Sequence, residues 1–184
     1  MQTFSSRTSP VFMDPLSRVV VLTAGIFSII ALILSIVGTA TISWFYNQDT
    51  TGTTLYYNFF TQCTGNVLDS TSTCIDMQRN NVLGIGTEHA AGLLVVAICL
   101  LGMGMLILLS MNCIQLTGIL GFLPTTILFL AALFMLAALA EGSRVTTYNS
   151  YSANLVETGH LLTIFCMGLA AFAGGRLHAR YFGL

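Results

Sequence analysis

The apolar positions of this chain are massed in long runs, and four runs predict helices able to cross a bilayer. Val19 to Gln48 holds no Asp, Glu, Arg, Lys or His, and its dense part, 19–42, is long enough for a hydrocarbon core that needs roughly 20 residues. Ala90 to Ala140 is a second ionisable-free stretch, of 51 residues. That is too long for one span and suits two joined by a short turn. Ser110, Asn112, Gln115 and Thr117, with Gly118 and Gly121, mark the connection, so the second and third spans are expected at 90–109 and 119–140. Pro124 falls near the start of the third span, where a helix tolerates it best. A fourth window, 154–175, carries Glu157 and His160 in its first two turns.

Between the first two spans the pattern becomes strand-like. Thr41–Tyr46 and Thr53–Phe60 are rich in β-branched and aromatic residues and flank the turn-forming stretch Asn47–Gly52. A small antiparallel sheet is expected here. Trp44, Phe45 and Tyr46 also suit an aromatic belt at a membrane surface, and the two readings are compatible. The expected fold is therefore an all-α membrane protein, a single unit over 1–184: a four-helix transmembrane bundle with a small extracellular antiparallel β-sheet.

Composition sharpens this picture. Of 184 residues, 55% are hydrophobic and only 7% charged, with six Arg and no Lys. A soluble domain spends about a quarter of its residues on charge. No run of basic residues offers a footprint for nucleic acid or for polybasic lipid binding. Four Arg lie in the tails 1–18 and 176–184, which predicts both termini to be cytoplasmic in a multi-pass plasma-membrane protein. The long polar head and long first apolar run read as a signal anchor. Loops 43–89 and 141–153 are then outside, and the first carries Asp49, Asp69, Asp76 and Glu88 against Arg79, a net charge of −3.

Cys99 and Cys166 fall within spans and read as packing residues. Cys63 and Cys74 share the outer, oxidising loop, and a disulfide between them is the default expectation, two unpaired thiols being the other reading. No nucleophile elbow, zinc-protease, phosphate-loop or CxxC motif is present, so no enzymatic activity and no cofactor is expected. Glu157 and His160 share a helix face by their i, i+3 spacing and, with His89, are low-weight candidates for a metal site. Their alternative use is as ordinary interfacial residues.

Trp44, then Asn58-Phe59-Phe60-Thr61-Gln62-Cys63, then Cys74, resembles the signature of the claudin, peripheral myelin protein and epithelial membrane protein superfamily, a Trp followed by [G/N]LW-x-x-C and a second Cys. Glu88–Leu93 is similar to the family's segment at the start of span two, and Met111-Asn112-Cys113 to its juxtamembrane Cys motif. Phe59-Phe60 stands in place of the Leu-Trp pair, and Gly92 where the family carries Arg. The resemblance implies a claudin-like structural and adhesive protein of cell–cell contacts. Its partners would be itself and other four-span proteins in cis or trans, forming a cation-preferring paracellular barrier or pore with selectivity from Asp49, Asp69 and Asp76. It also implies palmitoylation of Cys113. The wider superfamily includes auxiliary subunits of channels and receptors, and packing against such a partner is the alternative. Phe182 and Leu184, at the third-last and last positions, fit a PDZ-domain ligand.

Overall fold

The computed structural model describes residues 14–66, 71–76, 88–113, 118–143 and 149–182. Four helices, α1 (Pro15–Ala40), α2 (Glu88–Ser110), α3 (Leu123–Ser143) and α4 (Tyr151–Phe182), form a bundle. Four strands, β1 (Phe45–Gln48), β2 (Thr53–Tyr57), β3 (Thr61–Asn66) and β4 (Thr71–Asp76), lie between α1 and α2 in the chain. All four helices are long and apolar enough to cross a membrane.

The helices depart from the charge-free runs mainly at their ends. α1 opens at Pro15, whose fixed φ suits a first helical position, and so takes in Arg18. α4 continues through Arg176 to Phe182, so most of the expected C-terminal tail is helix. The third span begins as a 3-10 helix, Gly118–Phe122, and becomes α-helical at Leu123. Pro124 then sits in the first α-helical turn, where its missing N–H breaks no bond.

Buried positions recur along every helix in alternating steps of four and three. In α1 they are Ser17, Val21, Ala24, Ser28, Ala31, Ser35 and Gly38; in α4, Ser152, Val156, Gly159, Thr163, Cys166, Ala170 and Ala173. α2 buries Ala90, Leu94, Ala97, Leu101, Gly104 and Leu108, with Met111 just beyond its end in the same spacing, and α3 buries Pro124, Leu128, Ala131, Met135, Ala138 and Gly142. This heptad spacing is the seam of left-handed helix packing. α1 packs chiefly on α4, and α2 on α3.

The two pairs use different chemistry. α2 and α3 interlock Leu and Met with Ala, whereas α1 and α4 meet through Gly, Ala, Ser and Thr. In a bilayer, which these helices are long and apolar enough to cross, lipid supplies no hydrophobic drive between helices, and small residues that admit close backbone approach do that work instead. A Cβ on Gly38 would lie 2.7 Å from Ser152 O, and one on Gly159 would lie 3.0 Å from Ala31 O. Two of the seam hydroxyls are satisfied within their own helices, Ser28 donating to Ala24 O at 2.8 Å and Thr163 to Gly159 O at 2.8 Å, whereas the buried hydroxyls of Ser35 and Ser152 have no hydrogen-bond partner among the described residues.

The strands form one antiparallel sheet in the order β1-β2-β3-β4. Where two strands were expected there are four, the second half built around the cysteines. Cys63 and Cys74 stand directly opposite each other on β3 and β4 and form the disulfide, with Cα atoms 4.1 Å apart. The β1–β2 turn closes through Gly52, whose φ of 82° suits a residue without Cβ.

Candidate functional site: the four-stranded sheet

The sheet is fastened to the sheet-side end of the bundle by the residues that carry the sequence signature. Trp44 is buried, and its indole Nε1 donates to Gly38 O at 2.7 Å, on the last turn of α1. Its ring packs on Phe59 with centroids 4.5 Å apart. Asn58 shapes the β2–β3 turn: Oδ1 accepts from the backbone N–H of Phe60 (2.8 Å) and Thr61 (2.7 Å), while Nδ2 donates to Thr41 O at 3.4 Å. Phe60, the last aromatic of the signature, is exposed. The signature thus holds the sheet in place, and only Phe60 of the four presents itself outward.

The two edges of the sheet differ. Along β1, the Asn149 side chain acts as a strand of one residue: Oδ1 accepts from Tyr46 N–H at 2.9 Å and Nδ2 donates to Tyr46 O at 2.7 Å. Ser152 N–H donates to Ser43 O at 3.2 Å, tying the start of α4 to the same corner. β4 is the opposite edge strand, and among the described residues nothing pairs with its outer side. Its Ser72, Thr73, Cys74 and Ile75 are all exposed, Ile75 by 64%. An unpaired edge presents a row of backbone donors and acceptors that another strand can take up.

The predicted acidic residues divide. Asp49 is exposed at the β1–β2 turn, but its carboxylate is engaged: Oδ1 accepts from Thr50 N–H at 2.7 Å and Oδ2 lies 3.3 Å from the Thr51 hydroxyl. Asp76 ends β4 opposite Thr61. Asp69 lies outside the described residues. Glu157 and His89 are exposed and His160 half-buried, and among the described residues no three His, Cys, Asp or Glu side chains converge. Cys113 is exposed in the turn that follows α2. Phe182 ends α4 with its ring 4.7 Å from His178, so the segment is helical where a PDZ ligand would be extended; Leu184 lies outside the described residues.

At the far end of the bundle the fold gathers charges that the sequence keeps apart. Asp14 Oδ2 accepts from Arg176 Nη2 at 3.0 Å and lies 3.4 Å from Arg180 Nη2. The Ser17 hydroxyl nearby does most to hold the Asp14 carboxyl below its ordinary value; burial opposes this, and the two guanidiniums reinforce it. Asp14 Oδ1, Ser17 Oγ and Arg176 Nε are nevertheless buried without full hydrogen-bond geometry to any partner. The i, i+4 spacing of Arg176 and Arg180 is legible in sequence, but their meeting with Asp14 is not. Asn149 gives no sequence signal at all, since any short polar loop contains such residues. Comparison with protein-family models and with curated proteins finds no match for this chain.

Proposed function

We propose that this chain is a claudin-like, non-enzymatic plasma-membrane protein of cell–cell contacts, spanning the bilayer four times with the sheet outside and both termini in the cytoplasm. One observation carries the reading: a sheet fastened to an apolar bundle, with its β1 edge closed by Asn149 and the outer side of β4 unpaired among the described residues. A domain whose purpose was only to cap the bundle would gain nothing from an exposed Ile75 beside an unpaired strand edge. In this reading β4 meets a second four-span protein, and the acidic excess of loop 43–89 favours cations along the resulting gap. Asp49 is the weaker candidate for selectivity, because its carboxylate is occupied by its own turn.

The test is expression in epithelial cells that lack junction strands. The wild type is expected to concentrate at contacts and change transepithelial conductance, and Ile75→Lys, which places a charge beside the strand edge, to abolish the enrichment while the protein still reaches the surface. Uniform surface distribution of the wild type with unaltered conductance overturns the reading. An unchanged cation-to-anion permeability ratio after Asp69→Asn and Asp76→Asn removes those residues from selectivity.

One observation favours the auxiliary-subunit alternative. Of the span-two glycines, Gly104 packs on Leu128, but Gly92 and Gly102 face open space on α2, where another helix could approach closely. Copurification of a channel or receptor, lost in Gly102→Leu, is the outcome that reading requires.

A further inference from the structure

The outward face of α4 carries a repeating pattern that the bundle uses only at one point, where the Phe27 ring of α1 meets Phe165 edge-on with centroids 5.4 Å apart. Phe165 and Phe172 are each half exposed, and Gly168 and Gly175 alternate with them, with nothing within 4 Å of where a Cβ would stand. Two aromatic ridges and the notch between them run along the helix axis. At the inner end of this stripe, one and two turns beyond Phe172, are Arg176 and Arg180. The Arg176 guanidinium lies over the Phe172 ring, 5.8 Å from its centroid. Apolar notch, aromatic shelf and cationic head therefore follow one another on one helix face.

The head of this stripe is held in place from α1. Arg176 and Arg180 share a single oxygen of Asp14, so two positive charges meet one negative and the cluster keeps a net charge of +1. Their side chains remain 36% and 42% exposed, while that of Asp14 is only 10% exposed. Each guanidinium has five N–H donors, and the contact with Asp14 uses few of them. Asp14 and Phe172 fix where the guanidiniums sit, so little rotamer freedom is left to lose on binding.

We propose that this face of α4 is a binding site for one phospholipid of net charge −1, its phosphate on Arg176 and Arg180 and an acyl chain in the Gly168 notch between Phe165 and Phe172. One phosphodiester neutralises the charge that Asp14 leaves over, and planar guanidiniums suit phosphate oxygens. A zwitterionic lipid offers the same phosphate but brings a cation to a cluster that is already positive. The inference rests on the membrane-spanning reading of the bundle and is independent of any role at cell contacts.

The test uses the full-length protein, purified in detergent and stripped of lipid, with lipid binding followed by native mass spectrometry. Phosphatidylserine, whose carboxylate offsets its ammonium and leaves a net charge of −1, is expected to bind at least roughly tenfold more tightly than phosphatidylcholine, whose choline is not offset; the factor is that of one further charge-assisted hydrogen bond, from the serine carboxylate. Arg180→Gln, and more fully Arg176→Gln with Arg180→Gln, should bring the two affinities together. Gly168→Leu fills the notch, where a Cβ meets nothing within 4 Å, and should weaken the retention of both lipids without lowering the detergent-state melting temperature. Equal affinity of the wild type for the two lipids, or a preference that survives the double substitution, overturns the proposal. Retention unaffected by Gly168→Leu removes the acyl-chain part, and stabilisation by millimolar inorganic phosphate equal to that by phosphatidylserine identifies a free-anion site instead. Release of the protein from cell membranes by alkaline carbonate would refute the spanning reading itself, whereas lost lipid preference in carbonate-resistant protein refutes the site alone.

Discussion

Replacing Gly38 with alanine tests the close approach of α1 and α4 with a single methyl group. The added Cβ would stand 2.7 Å from both Ser152 O and Val156 Cγ2, and 3.1 Å from Leu155 Cβ. Val156 can turn aside, but Ser152 O is backbone, so α4 must retreat by about 0.7 Å to regain the 3.4 Å of ordinary contact. Overpacking of this kind costs roughly 1–3 kcal/mol. Alanine recovers up to about 1 kcal/mol of helix propensity, less so close to the end of α1. A net loss of about 1–2 kcal/mol is expected. Gly168→Ala supplies the control, since its methyl meets nothing within 4 Å and should be neutral or stabilising by up to about 1 kcal/mol. Trp44 is the chain's one tryptophan and donates to Gly38 O, so its fluorescence reports the perturbed corner directly during detergent-titrated unfolding. Equal stability of the two alanine variants, or a Gly38→Ala protein as stable as wild type with an unshifted Trp44 spectrum, refutes the close-packed seam.

Three further outcomes follow from named contacts. Trp44→Phe keeps an aromatic ring against Phe59 but removes the donor to Gly38 O, and should cost about 1–2 kcal/mol in the same unfolding assay. Asn149→Ala uncovers the backbone of Tyr46 and should raise amide exchange at that position while Cys63, on the interior strand β3, stays protected. Because the folded-state pKa of Asp14 is depressed, its contribution to stability is present above the unfolded value of 3.8 and is lost as pH falls through the folded one. Asp14→Asn should therefore lower stability at neutral pH and flatten its acid dependence below pH 3.8, as read from melting temperatures across that window.

The four helices were legible because charge is excluded from hydrocarbon, a constraint that acts on every residue of a run. Their ends were not, because Arg18, Arg176 and Arg180 are long enough to leave the apolar region while their backbones remain helical. The heptad seams escaped notice for a different reason. In α1 the buried positions, Val21 and Thr39 apart, are Ser, Ala and Gly, less hydrophobic than the exposed Ile26, Ile33 and Ile36 on its outer face, so the usual apolar stripe is inverted. A reading that seeks the core at the most hydrophobic positions finds the lipid-facing side instead. The relevant signal is residue size: serine and glycine at steps of four and three mark the interior of a helix whose exterior is solvated by lipid.

The same distinction applies to the sheet. Trp44, Asn58 and Phe59 are the residues a motif search selects, and all three are spent on fastening: an indole to Gly38, an amide to a turn, a phenyl ring under the indole. A fastening motif fixes geometry that many loops can share, and so it says where a binding surface will be without saying what it binds. Under the proposed contact function, partner choice is left to positions the motif leaves free, Phe60 and Ile75 in particular, both of which are exposed. If that division holds, exchanging Phe60 and Ile75 for polar residues should change which proteins the sheet engages while the fold survives. Exchanging Trp44 or Asn58 should lose the sheet's attachment before any specificity can be measured. Surface delivery with altered partners in the first set, against retention and misfolding in the second, is the expected pattern. Altered partners from a well-folded Trp44 variant would show that the motif itself does the recognising.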